Sequence, residues 1–139
     1  LQGGVVLQRS TFGQPDPDFG SRRFFRTPDL YGNASVTVKE VLPVDVFVGV
    51  RLTGSMVAPH FAGAIPVDRL ETTPSFAQVD ASLSRRLRKG PVPLTLTVAV
   101  RNLTDAYQRD LDQGPLRDAA YVYGPRFPRT VLMTLRVGG

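Results

Sequence analysis

Residues 44–53 read Val44-Asp45-Val46-Phe47-Val48-Gly49-Val50-Arg51-Leu52-Thr53. Val44, Val46, Val48, Val50 and Leu52 occupy every second position, with Asp45, Phe47, Gly49, Arg51 and Thr53 between them. Successive side chains of a strand point to opposite faces, so this stretch predicts a strand with one aliphatic face and one mixed face. Working outward, residues 94–101 repeat the pattern, with Leu94, Leu96, Val98 and Val100 against Thr95, Thr97, Ala99 and Arg101. Residues 130–137 set Val131, Met133, Leu135 and Val137 against Thr130, Leu132, Thr134 and Arg136. Residues 77–84 and 33–39 alternate in the same way, and a weaker strand is expected within residues 1–12 around Leu1, Val5 and Leu7. No segment carries a convincing helical period. The expectation is an all-β chain, an antiparallel meander of about six strands in one unit spanning residues 1–139.

Alternation suits a barrel wall and a soluble sandwich equally, since each has one apolar face. The connections discriminate better. The twelve prolines mark them, because proline donates nothing to a sheet ladder. In order they run long (13–30), short (40–43), long (57–73), short (88–93) and long (105–125). Outer-membrane barrels alternate short periplasmic turns with longer extracellular loops in this way. Phe12, Phe19, Phe24, Phe25, Tyr31, Phe61, Phe76, Tyr107, Tyr121, Tyr123 and Phe127 all lie in or beside the long connections, and only Phe47 sits toward the short-turn side. A sandwich core normally buries aromatics in mid-strand, whereas a lipid-facing band is aliphatic with aromatics near an interface. Arg85, Arg86, Arg88, Lys89 and Arg136 crowd the short-turn end, where long cationic side chains reach lipid headgroups.

Composition removes other classes. The hydrophobic content of 42% is too high for a disordered polymer. No apolar run approaches the roughly 20 residues a spanning helix needs. Cysteine is absent, which excludes disulfides and thiolate metal sites. The net charge of +5 is scattered along the chain rather than gathered on a recognition helix, so nucleic acid is not expected as a partner; an anionic lipid surface or an anionic ligand accounts for it equally well. The chain opens Leu1-Gln2-Gly3-Gly4-Val5, without initiator Met, basic n-region or apolar h-region, and reads as starting inside a strand of something longer. Six strands do not close a membrane barrel, for which eight is the practical minimum, and a sheet with two open edges needs a partner or more wall.

Residues 102–136 are more specific. Asn102-Leu103-Thr104-Asp105-Ala106-Tyr107 closes one strand, and Tyr121-Val122-Tyr123-Gly124-Pro125-Arg126-Phe127-Pro128-Arg129-Thr130 opens the next. This resembles the carboxy-terminal signature of TonB-dependent outer-membrane receptors. Phe25-Arg26-Thr27-Pro28-Asp29-Leu30-Tyr31-Gly32 and Thr53-Gly54-Ser55-Met56-Val57-Ala58-Pro59-His60 look like loop and strand-end segments of the same family. The resemblance implies the carboxy-terminal part of a transmembrane barrel of roughly 22 strands with a plugged lumen. It implies capture of a scarce nutrient, such as an iron chelate, haem, cobalamin or a glycan, and uptake driven through TonB. The plug and the TonB-contacting segment belong to the amino-terminal part of the family, which is expected to lie outside residues 1–139. Family members commonly finish on an aromatic residue; this chain finishes Val137-Gly138-Gly139.

Candidate ligand-binding residues lie in the long connections: Arg22, Arg23, Arg26, His60, Arg109, Asp110, Asp112, Arg117, Asp118 and Tyr121. Ser21-Arg22-Arg23-Phe24-Phe25-Arg26 suits an anionic ligand or lipopolysaccharide phosphates through bidentate guanidinium contacts, or simply a solvated loop stem with interfacial phenylalanines. His60 is the only histidine, and with no cysteine to help it an ordinary loop role outweighs a metal or haem role. The run from Asp110 to Asp118 lacks the glycine and glutamate positions of an EF-hand and reads as a solvated turn, with Arg117 expected to pair a carboxylate. Asp45, Arg51, Asp80 and Arg101 fall on the face opposite the valines, where charges stay hydrated or pair across strands. No spacing assembles a catalytic or cofactor site. The sequence therefore predicts part of an outer-membrane nutrient receptor, not an enzyme, with membrane lipid, lipopolysaccharide, a small nutrient and TonB as partners. A soluble β-sandwich or small-barrel binding module is the alternative, and a β-rich enzyme with its site in the loops ranks third.

Overall fold

The computed structural model describes residues 1–41, 43–87 and 92–138. The expectations for Arg88, Lys89, Gly139 and much of the 88–93 turn lie outside the described residues. Eight strands follow one another: β1 (Gln2–Leu7), β2 (Leu30–Val41), β3 (Val44–Thr53), β4 (Val57–His60), β5 (Arg69–Thr72), β6 (Phe76–Leu87), β7 (Leu94–Arg101) and β8 (Thr130–Val137). Among the described residues there is no helix.

Six strands form one antiparallel sheet in the order β1-β2-β3-β6-β7-β8. Each of the six expected strands is present, and β2 and β6 extend beyond the 33–39 and 77–84 stretches that alternation marked. Register holds the pattern together. Val48 faces Val36 on one side and Ala81 on the other, Leu83 faces Val98, and Val98 faces Met133. Because a one-residue slip would turn every valine to the other face, this pairing is what makes the aliphatic side continuous. At the tight β2–β3 turn the register shifts between Val38 and Val41, and Glu40 takes a φ of 58° with its N–H held by the Asp45 carboxylate at 2.9 Å.

The aliphatic side has no second layer among the described residues. Val5 is 69% exposed, Leu83 53%, Val131 68% and Met133 77%. The opposite face carries Asn33, Arg51, Gln78 and Arg101 along the same strands, together with Phe47, whose ring lies over Gly49. The charges on that face do not pair across strands: among the described residues Asp45 and Asp80 accept backbone N–H groups instead. β1 and β8 are the two strands at its edges.

An antiparallel meander with these long connections places all three at one end, and there the protein has its buried core. Among the described residues Met56, Val57, Ala58, Pro59, Phe76 and Tyr121 are buried apolar residues, and His60, Thr73, Asn102 and Gln108 are buried polar ones. The β3–β6 connection was expected as a plain loop. It folds instead into the β4–β5 hairpin, a separate two-stranded sheet pairing Val57 with Thr72 and His60 with Arg69. Pro59 sits within β4, tolerated because the strand is short and lies at a sheet edge. The hairpin is tied to the first long connection by the Phe25–Val57 bridge and by the N–H of Arg26 donating to the Val57 carbonyl at 2.7 Å.

The aromatics of the long connections pack mainly on one another. Phe12 stands 4.5 Å from Phe24 and 5.6 Å from Phe25, and Phe19 stands 5.7 Å from both Phe25 and Phe61. Offset and edge-on ring contacts of this kind contribute about 0.5–1.5 kcal/mol per pair beyond simple burial. They join the 8–29 connection to the hairpin, so the loop end is a packed layer.

Candidate functional site

His60, the last residue of β4, is 4% exposed and stacks on the Tyr121 ring at 3.7 Å, with the planes 8° apart. Its Nε2 lies 3.0 Å from the Asp112 carboxylate, while Nδ1 lies 3.6 Å from Glu71 and has no hydrogen-bond partner among the described residues. The hairpin supplies His60 and Glu71, and the β7–β8 connection supplies Asp112 and Tyr121. The histidine therefore fastens two connections far apart in sequence. Asp112 also accepts the Asp118 N–H at 2.9 Å, and Asp118 in turn accepts the N–H of Phe61 at 3.0 Å and of Ala120 at 2.8 Å.

These contacts set the local electrostatics. The Asp118 N–H, and after it the His60 ring, holds the Asp112 carboxyl below its ordinary value of 3.8. Asp110 accepts both phenol hydroxyls, from Tyr121 at 3.1 Å and from Tyr123 at 2.6 Å. Burial first, and the Asp110 charge after it, pushes both phenols well above their ordinary 10.0, so each stays a neutral donor.

Two buried amides shape the rest of the β7–β8 connection. Asn102, at a φ of 50°, donates from its amide to the carbonyls of Ala106 at 3.0 Å and Phe127 at 2.9 Å, and accepts the Ala106 N–H at 3.0 Å. Its own N–H donates to Asp80 at 2.8 Å. Gln108 accepts the N–H groups of Tyr123 at 2.9 Å and Gly124 at 3.2 Å, and donates to the Tyr121 carbonyl at 3.2 Å. A Cβ at Gly124 would come 2.7 Å from the Phe76 ring and 3.0 Å from the Gln108 side chain, so a larger residue here requires the ring to move.

Of the ten residues singled out from the sequence, His60, Asp110, Asp112, Asp118 and Tyr121 come together in this cluster. Arg26 reaches its rim, donating to the Ala120 carbonyl at 2.7 Å. The others stand apart: Arg22 bonds the Gly13 carbonyl at 2.6 Å, Arg23 pairs with Asp29 at 2.8 Å, and Arg109 lies over the Tyr107 ring at 5.0 Å. Arg117 was expected to pair a carboxylate; it bonds the Gly114 carbonyl at 3.3 Å and forms no ion pair among the described residues. Glu71, Gln108, Tyr123 and the tying role of Asn102 were missed. Asn102 had one visible signal, an asparagine at a strand end, which tolerates the left-handed region better than other side chains.

Chemically, the cluster is a tether. The His60–Asp112 pair has no hydroxyl or thiol nucleophile on its free nitrogen, which faces a carboxylate instead. Among the described residues no group of three His, Cys, Asp or Glu side chains is arranged to hold a metal ion. Toward solvent the loop end presents guanidinium groups, Arg22, Arg23, Arg26, Arg109 and Arg117 all being exposed. No protein-family model, no curated protein and no solved structure matches the chain.

Proposed function

We propose that this chain forms part of the wall and the outward loops of an outer-membrane receptor of the TonB-dependent kind, which captures a scarce nutrient for energised uptake. The observation that carries the reading is the uncovered aliphatic face of a sheet whose long connections all gather at one end. In water such a face is a liability, and proteins rarely leave a large contiguous apolar patch without a partner surface. Against hydrocarbon it is the expected surface of a spanning strand, with polar residues alternating toward a lumen. The charge distribution adds support: exposed arginines at the loop end and Arg85, Arg86 and Arg136 at the turn end suit the headgroup zones on either side.

In this reading the plug and the TonB contact come from chain beyond this one, the ligand is a small nutrient such as an iron chelate, haem, cobalamin or a glycan, and the chain carries no catalysis. The soluble sandwich alternative requires a second layer over Val5, Leu83 and Met133, which the described residues do not supply. Fractionation of cells expressing the complete protein tests the reading. The protein is expected in the outer-membrane fraction, extractable only with detergent; recovery as a monodisperse species from the detergent-free soluble fraction contradicts it.

A further inference from the structure

Most carboxylates of the loop end are engaged by backbone N–H groups, phenols or the His60 ring, and apart from Arg23 with Asp29 and Arg69 with Glu71 its guanidinium groups form no ion pair among the described residues. Asp68, Asp80, Asp105 and Asp118 each accept a backbone N–H, Asp110 takes two phenols, and Asp112 takes the His60 ring and a backbone N–H. By contrast Arg9, Arg51, Arg101, Arg109, Arg117 and Arg126 are all exposed, and none forms an ion pair among the described residues. The carboxylates so engaged form no ion pair with these six arginines. The surface left behind attracts anions.

Arg51 differs from the other free arginines because it stands on a paired strand beside a cleft. The cleft, about 530 Å³, opens among Pro28, Tyr31, Asn33, Arg51 and Thr53, with Gly32 and Leu52 completing its lining. Register sets Asn33 opposite Arg51 and Tyr31 opposite Thr53, so guanidinium, amide, phenol and hydroxyl form one patch on the polar face. Gln78 flanks Arg51 on the other side, and the nearest carboxylate along that strand, Asp80, is committed to the Asn102 N–H. Directly opposite residues of an antiparallel pair lie about 5 Å apart at Cβ, close enough to act on one small solute. Volumes of this order suit a solute of drug-like size.

We propose that this cleft seats one carboxylate of an oxygen-rich solute, with Arg51 gripping the carboxylate and Asn33, Tyr31 and Thr53 bonding neighbouring hydroxyl groups. A single guanidinium amid neutral donors matches one negative charge, whereas a phosphate dianion calls for a second cation that the cleft lacks. The proposal rests on the outer-membrane reading, which turns this polar face toward a water-filled lumen.

The test is titration calorimetry on the complete protein in detergent, with three probes: gluconate, its neutral counterpart sorbitol, and inorganic phosphate. Gluconate is expected to bind at least about tenfold more tightly than sorbitol or phosphate. Arg51→Ala is expected to weaken it about ten- to hundredfold, the scale of a charge-assisted hydrogen-bond pair. Arg51→Lys, which keeps the charge and the fold but not the fork, should fall between, and Arg86→Ala, at the turn end, should change nothing. Equal affinity for gluconate and sorbitol, tighter binding of phosphate, no binding of any probe, or indifference to Arg51→Ala overturns the seat. Loss of the detergent requirement in the same preparation overturns the outer-membrane reading instead, so the two failures are separable.

Discussion

Asn102 decides the path of the chain as it leaves β7. Its φ of 50° lies where a Cβ is costly, and its side chain satisfies the backbone of Ala106 and the carbonyl of Phe127 at once. Asn102→Ala loses the bonds and keeps the strain, at about 2–4 kcal/mol in all. Asn102→Gly loses the bonds alone, so it is expected to cost about 1 kcal/mol less, read from the midpoints of urea unfolding. Equal midpoints for the two variants contradict the role assigned to the backbone. At Asp112 the sign of the shift fixes a pH window. A carboxyl depressed in the folded state contributes stability that is complete above 3.8 and is lost as pH falls through the lower folded value. Carbon-13 titration of the Asp112 carboxyl in the folded protein is expected to give a midpoint below 3.8, and a midpoint at or above it contradicts the His60–Asp112–Asp118 tether. Residue types marked this region as a carboxylate-rich turn, but nothing in the spacing of His60 and Asp112 announces a contact across 52 positions. Contacts of that span follow from how connections stack, which period and composition do not encode.

The strands were legible because β-structure writes its period into the chain. Val44 to Thr53 alternate without a break, and the register of β3 against β2 and β6 keeps its valines opposite valine, alanine or leucine. The β4–β5 hairpin was illegible for the opposite reason. Four-residue strands are too short to show a period, and Pro59 reads as a breaker wherever the strand is not known to be an edge. The expected aromatic border suffered similarly: sequence placed the phenylalanines at the correct end, but not the ring-on-ring packing of Phe12, Phe19, Phe24 and Phe25. Pairing of the first strand depends on a close approach, since a Cβ on Gly32 would lie 2.7 Å from the Gly4 carbonyl oxygen and 3.2 Å from the Val5 Cα. These are backbone atoms with no rotamer to yield. Gly32→Ala is expected to push β1 outward and destabilise its pairing by about 1–3 kcal/mol, as overpacking does. Faster hydrogen exchange at the β1 amides, with β7 and β8 unaffected, is the expected signature; unchanged protection of β1 contradicts the close approach.

At the scale of the molecule, burial is inverted relative to a globular domain. The Val, Leu and Met side chains described in the sheet are exposed or half-buried, none fully buried, and the buried residues gather in the loop layer around Met56, Phe76 and Tyr121. A water-soluble protein of this design would leave the main driving force of folding unused, because apolar area stabilises a fold only when removed from water. In the proposed reading hydrocarbon would remove that conflict, and strands continuing beyond β1 and β8 would remove the two open edges as well. The medium against the aliphatic face can be read directly. Spin labels placed singly at Thr97, Val98, Ala99, Met133 and Thr134 of the complete protein in liposomes report access to oxygen, which concentrates in hydrocarbon, and to a water-soluble nickel complex. Lipid contact predicts that Val98 and Met133 are open to oxygen and closed to nickel, with Thr97, Ala99 and Thr134 showing the reverse. Nickel access on the Val98 and Met133 side, or a flat profile along both strands, contradicts it.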